Sequence, residues 1–144
     1  IGISEECILI VKPYENYHFT HLNFQTIPAY NLKKDYHPKE KGWVGYLIEL
    51  DNTKYYIAGD TDVTIENKKV IADVVFLPVG GTYTMDYKEA SKLANTMMPE
   101  KAIPTHYGKV IGSNEDASLF CKLLNPEIKG LICYHEQEEK NDGK

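Results

Sequence analysis

Val74-Val75-Phe76-Leu77-Pro78-Val79-Gly80-Gly81 is the stretch on which the fold turns. Apart from Pro78 its first six residues are apolar without alternation, as expected of a strand covered on both faces, and the paired glycines end it. Beyond Gly81 the hydrophobic period changes from two toward 3.6. Tyr87, Ala90, Leu93, Ala94 and Met97 fall on one face of a helix that Thr84 or Asp86 can cap and Pro99 should stop. A strand feeding a helix in this way is the repeating unit of an α/β fold.

Downstream the unit recurs. Ala102-Ile103-Pro104 reads as a short strand leading to His106, and a second helix follows with Ser113 or Asn114 as cap. Phe120, Leu123 and Leu124 mark its buried face before Asn125-Pro126 breaks it, and residues 130–134 read as a last strand. Upstream the period is two, with strands expected at 7–12, 17–19 and 24–30 from their apolar, aromatic and β-branched content. Residues 31–42 read as a polar loop. Trp43 to Leu50 and Lys54 to Ala58 then flank Asp51-Asn52-Thr53, whose Asp and Asn suit the turn of a β-hairpin.

The chain has 144 residues, enough for one domain, and neither a repeat nor an internal boundary is visible. The expected division is a partial domain at 1–135 and a charged, mobile tail at 136–144. The chain opens at Ile1 and runs at once into the apolar 7–11, which is how a cut sequence begins. Sixteen basic against 21 acidic residues leave a net charge of −5, with no basic block to neutralise a phosphate backbone, so nucleic acid is not expected as a partner. Every basic residue is a lysine, so no guanidinium fork is available for an anionic substrate. Cys7, Cys121 and Cys133 lie far apart and read as thiols in a reducing compartment. No run approaches the roughly 20 apolar residues of a membrane span and no signal peptide is visible, so the expected location is cytoplasmic.

Two phrases end apolar runs with a group able to ligate metal. In Ala58-Gly59-Asp60-Thr61-Asp62, Gly59 lets the backbone turn so that the short carboxylate of Asp60 points inward. A carboxylate has lone pairs on both oxygens and can bridge two cations, whereas in isolation the same residues would form a local turn. In Ile103-Pro104-Thr105-His106-Tyr107-Gly108 the imidazole of His106 follows a strand end, suited to zinc or, alone, to a backbone hydrogen bond.

Taken in order, Ile27-Pro28-Ala29-Tyr30-Asn31, Gly42-Trp43-Val44-Gly45-Tyr46, residues 58–62, residues 76–81, Tyr83-Thr84-Met85 and residues 103–108 resemble the metallo-β-lactamase superfamily. The likeness is closest to its metal-dependent hydrolase branch, which includes lactonase-like members. It implies the C-terminal half of an αββα sandwich, an α/β fold with metals at the rim between two sheets. It also implies that Asp60 bridges two divalent metals, zinc or another, and that His106 serves the second metal site. The metals would activate water for ester, lactone, amide or phosphodiester hydrolysis of a small-molecule substrate.

The sequence departs from the family pattern in two places. The His-x-His-x-Asp-His phrase that supplies most ligands has no counterpart, and His18 and His21, spaced His-x-x-His in a strand-like stretch, do not replace it. Asn31 stands where related branches carry a ligating histidine, and an amide oxygen is a weak zinc ligand. For His37 two readings stand: a ligand or substrate contact reaching in from the neighbouring loop, or a solvated loop histidine. Tyr30, Tyr83 and Tyr107 are candidates to orient substrate through their hydroxyls. The leading expectation is a hydrolase half that lacks the rest of its site. The alternative is a truncated or degenerate relative that acts as a non-catalytic interaction module. Either would leave an apolar sheet face for a second copy or for the missing N-terminal half.

Overall fold

The protein is described by a computed structural model over residues 2–133. Seven strands form one sheet in sequence order: β1 (Asn16–His18), β2 (Asn23–Pro28), β3 (Val44–Leu50), β4 (Thr53–Ile57), β5 (Val74–Pro78), β6 (Lys101–Thr105) and β7 (Lys129–Gly130). Strands β1 to β4 are antiparallel, and β4 to β7 are parallel. The change of direction follows from the connections. Asp51 and Asn52 both take positive φ (48° and 59°), the backbone of a two-residue hairpin, so β3 and β4 must run oppositely. The chain then crosses over through residues 58–73, which hold only a 3-10 turn at Asn67–Lys69, to bring β5 parallel to β4, and through helix α1 (Tyr87–Met97) and helix α2 (Asn114–Lys122) to β6 and β7.

Both helices start where their sequences supply a reciprocal cap. The Asp86 carboxylate accepts from the N–H groups of Lys88 and Glu89 at 2.9 and 2.8 Å, and Glu89 accepts in return from the Asp86 N–H. Ser113 and Asp116 do the same for α2. The helices cover one face of the sheet, where Tyr56, Val75, Leu77 and Ala102 pack against Leu93, Ala94 and Phe120 in the core. On the other face the register aligns Phe24 with Ile48, Ile48 with Tyr55, Tyr46 with Ile57, and Ile57 with Phe76. No helix among the described residues lies over this face, and all five of Phe24, Tyr46, Ile48, Tyr55 and Phe76 stay half-buried, with Ile57 exposed. One helical layer on one sheet is half of an αββα sandwich, as expected.

The expected strand at 7–12 does not form. Its residues carry no ladder partner, and Ile10 is 84% exposed. Leu123 is not on the buried face of α2 either; it is the exposed C-cap residue. The last strand is shorter than expected and ends at Gly130, although the Leu131 N–H still reaches the Ala102 carbonyl at 3.0 Å. The charged tail lies outside the described residues. No helix among the described residues is long and apolar enough to cross a membrane.

The polar loop between β2 and β3 is tied down by charge. Glu66 receives hydrogen bonds from the Tyr14 hydroxyl (2.7 Å), the Tyr30 hydroxyl (2.8 Å) and the Lys39 ammonium (2.8 Å). Lys39 also lies over the Tyr30 ring at 4.5 Å. Burial pushes the Glu66 carboxyl up, but the three donors outweigh it and hold it down at about 2. A carboxyl lowered on folding stabilises the fold above its unfolded value of about 4.3 and loses that contribution as pH falls toward 2. Denaturant midpoints should therefore drop between about pH 5 and pH 2, by about 1–3 kcal/mol given the half-exposed Lys39 partner. Glu66→Gln should flatten that slope and lower stability at neutral pH, and an unchanged slope would remove Glu66 as its source.

Candidate metal centre

Asp60, Gly80 and His106 follow the carboxyl ends of the adjacent parallel strands β4, β5 and β6. Open α/β sheets commonly bind ligands at such strand ends. Each turn is shaped for close approach. Gly59 has φ +67°, and a Cβ there would come within 3.3 Å of the Val44 carbonyl oxygen. At Gly80 a Cβ would stand 2.4 Å from the His106 carbonyl oxygen and 3.2 Å from its Nδ1. The missing side chain is what lets His106 sit against β5.

The three sequence-derived metal candidates converge. His37 Nε2 lies 3.2 Å from Asp60 Oδ2, and His106 Nε2 lies 3.5 Å from Asp60 Oδ1. Each imidazole thus faces a different oxygen of one carboxylate that is partly open to solvent. Both histidines hold left-handed backbone, with φ +54° at His37 and +57° at His106, a conformation uncommon outside glycine and concentrated at functional sites. His106 Nδ1 is buried without a hydrogen-bond partner. Among the described residues no group of three or more His, Cys, Asp or Glu side chains is gathered closely enough to enclose a single ion. Asp60 presents one oxygen to each histidine, so each imidazole and its facing oxygen form a separate pair of donors.

The protonation of His37 follows from its neighbours. Asn31 Nδ2 lies 2.8 Å from the Tyr36 carbonyl oxygen and 2.7 Å from the Tyr83 carbonyl oxygen, which uses both amide hydrogens. His37 Nδ1 lies 3.1 Å from the same Tyr83 carbonyl, an acceptor only, so Nδ1 must carry a hydrogen and donate it there. In the neutral imidazole, Nε2 is then a bare lone pair facing a carboxylate oxygen. Two acceptors at that separation repel unless a proton or a cation lies between them. This donor set fits a divalent metal, and a backbone carbonyl on the far nitrogen is the usual support of a ligating histidine.

The remaining candidates divide. Tyr30 does not face the cleft, because its ring is buried and its hydroxyl is engaged by Glu66 and Lys39. Burial, followed by the Glu66 contact, raises its phenol. Tyr83 contributes its backbone carbonyl to His37, while its ring packs edge-on against Tyr36 at 4.5 Å. Tyr107 is half-buried beside His106 and lines a hollow of about 280 Å³ with Lys109, Val110 and Ile111. His18 is an exposed edge-strand residue whose Nδ1 meets Asn23 Oδ1 at 3.1 Å, and His21 is exposed in the following turn. Asp62 is an anchor: its carboxylate accepts from the Leu32 N–H and pairs with Lys34, which also donates to the Thr84 carbonyl.

Sequence reasoning missed Trp43, Gly80 and Asn31 as parts of the site. Trp43, the one tryptophan of the chain, stands 48% exposed with its ring edge-on to His37 at 5.1 Å. Together with Ala29, Val44, Gly59, His37 and Asp60 it lines an open cleft of about 330 Å³. A large apolar ring left in solvent beside a polar cluster was the available signal. A larger hollow of about 570 Å³, between β2, β3 and residues 66–71, carries no histidine.

A family model described as a β-lactamase superfamily domain matches residues 5–106, ending on His106 itself. A UPF0173 metal-dependent hydrolase of Thermococcus onnurineus is 34% identical over 111 residues, covering 74% of this chain and 50% of the relative. A protein of Parabacteroides distasonis assigned as a metal-dependent hydrolase superposes with a TM-score of 0.74 at 30% identity, over 85% of this chain and 56% of that one. A metallo hydrolase of Ignicoccus hospitalis shares the fold with a TM-score of 0.66 at 24% identity, over 86% of this chain and 56% of its own. The chain spans about half the length of the curated relatives it matches.

Gly80→Ala should displace His106 or strain β5, because the new methyl meets backbone that cannot step aside. A loss of about 1–3 kcal/mol in denaturant unfolding is expected. A variant as stable as the parent would show that the close approach is not constraining.

Proposed function

The chain belongs to the β-lactamase superfamily, and on that premise we propose that it is the C-terminal half of a two-metal hydrolase. The observation that carries the reading is the carboxylate of Asp60 shared between the Nε2 atoms of His37 and His106. Asp60, His37 and His106 would hold the metals, zinc or another divalent ion. Bound there, divalent metal supplies a Lewis acid and acidifies water at neutral pH. The side chains do the positioning. Asp60 fixes the separation of the two imidazoles, the Tyr83 carbonyl orients His37, and the Trp43 indole walls the cleft on the His37 side. An ester, lactone, amide or phosphodiester bond of a small molecule is the proposed substrate. The net charge of −5 and the absence of arginine weigh against nucleic acid. The three unpaired thiols suit the cytoplasm.

Three donors leave most coordination positions of two ions open, so an upstream half bearing His-x-His-x-Asp-His is the proposed complement. The half-exposed apolar face of the sheet supports this, since a second sheet laid over Tyr46, Tyr55 and Phe76 would close the sandwich. The same face supports the second reading, a non-catalytic module that binds a partner through it.

Zinc titration of the chain alone against a chromophoric chelator should give weak binding, reduced further in Asp60→Ala. Tight binding of two zinc ions would show that donors beyond these three are present. Joined to an upstream half carrying the missing phrase, the chain should hydrolyse a lactone or ester, and His106→Ala should lower the rate at least about 100-fold, since losing a ligand's support alone costs 10–100-fold. A loaded assembly without turnover would favour the interaction module. In sedimentation the chain alone should self-associate, and a monodisperse monomer that binds no hydrophobic dye would refute an open apolar face.

A further inference from the structure

We propose that Asn31 is a positioning residue that sets both the pose and the tautomer of His37. The inference rests on reading His37 as a metal-facing group, and Asn31 itself has no ligand role in it. Asn31 is buried at the end of the segment leaving β2. Its backbone N–H donates to the His37 carbonyl at 2.9 Å, closing residues 31–37 into a loop. Inside that loop its amide donates to the Tyr36 carbonyl at 2.8 Å and, across to another segment, to the Tyr83 carbonyl at 2.7 Å.

Two carbonyl oxygens at these distances fix the amide orientation, because turning it over would set Oδ1 against two acceptors. With both amide hydrogens used, the 3.4 Å approach of Asn31 Nδ2 to His37 Nδ1 brings two donor nitrogens side by side and is no hydrogen bond. His37 Nδ1 is thereby denied an alternative partner and directed to Tyr83. Asn31 also holds Tyr83 in place, so one side chain controls both the donor nitrogen of His37 and the acceptor it meets. The consequence appears at the opposite edge of the ring, where Nε2 is left bare toward Asp60. Asn31 Oδ1 is buried without a partner, an unfavourable feature whose cost the two amide donors must offset.

Aspartate would put two acceptors against the two carbonyls, and alanine would leave both carbonyls without their donor. A histidine at this position could not reproduce the arrangement, since an imidazole cannot present two hydrogens from one nitrogen. The sequence departure at Asn31 and the arrival of His37 beside Asp60 are therefore one structural event.

The test is nitrogen-resolved NMR of the imidazoles in the metal-free chain at about pH 8, above the usual histidine range. His37 should show a protonated Nδ1 donating to the Tyr83 carbonyl, whether Nε2 is bare or shares a proton with Asp60. In Asn31→Ala, with folding checked by circular dichroism, the two tautomers should mix. Zinc added to the same samples should perturb His37 at about 10–100-fold higher concentration in the variant. A bare Nδ1 in the parent, or a variant that keeps Nδ1 protonated as the parent does, would overturn the proposal. If Asn31→Ala does not fold, Asn31→Ser, which keeps one donor, is read by the same criteria. The tautomer readout needs no metal, so absence of zinc binding would count against the metal reading and leave the assignment of Asn31 to be decided by the tautomer.

Discussion

The parallel ladder of β4, β5 and β6 is the constraint on which the rest of the molecule depends. In parallel strands the carboxyl ends lie side by side, so residues more than forty positions apart in sequence, Asp60 and His106, leave the sheet at neighbouring points. Helix α1 in the crossover from β5 to β6 and helix α2 in the one from β6 to β7 pack into the same core, which leaves the site at the sheet's rim instead of beneath a helix. Glycine at position 80 then sets the spacing. Backbone of the third strand's turn packs against backbone of the second, and no side chain fits between them.

The other side of the site arrives by a different route. Residues 31–42 belong to no regular element apart from a single turn of 3-10 helix at Lys39–Lys41. Their position comes from side chains that reach across the chain. Lys39 is held by Glu66, Lys34 by Asp62 and Thr84, and Asn31 by Tyr83. These partners all lie in the segments that follow β4 and β5. The loop that carries His37 is thus fastened to the same two turns that carry Asp60 and shape the seat of His106. An ionic fastening of this kind is sensitive to pH in a way that the apolar core is not.

A sheet with helices on one face and half-buried aromatic and aliphatic side chains on the other explains why the site is open. Phe24, Tyr46, Tyr55 and Phe76 are as apolar as core residues, yet they sit at a surface. The chain belongs to the superfamily and spans about half the length of the first relatives it matches, and on the proposed reading that face is where a second sheet would lie. On that proposed reading, coordination is incomplete for the same reason that the face is uncovered. Both would be completed by one structural unit.

The element pattern was legible from residues alone because local rules set it. The 3.6 period of Tyr87 to Met97, the caps at Asp86 and Ser113, the Asp51-Asn52 turn and the apolar run ending at Gly80 each depend on near neighbours. Asp60 and His106 were legible because each follows an apolar run near a glycine and stands in a phrase that resembles the superfamily. Residues 7–12 show the limit, since five apolar residues before Lys12 suggest a strand but only a hydrogen-bonded partner strand can make one. The tyrosines show it again: Tyr30 and Tyr83 lie near the site in sequence, but Glu66 took the hydroxyl of the first and His37 the carbonyl of the second. Sequence by itself determined the elements, their order and two of the metal candidates, because propensity, periodicity and turn chemistry act over a few residues. Only the tertiary structure decided that His37 joins Asp60 and that Asn31 directs its ring, because these depend on hydrogen bonds between segments tens of residues apart.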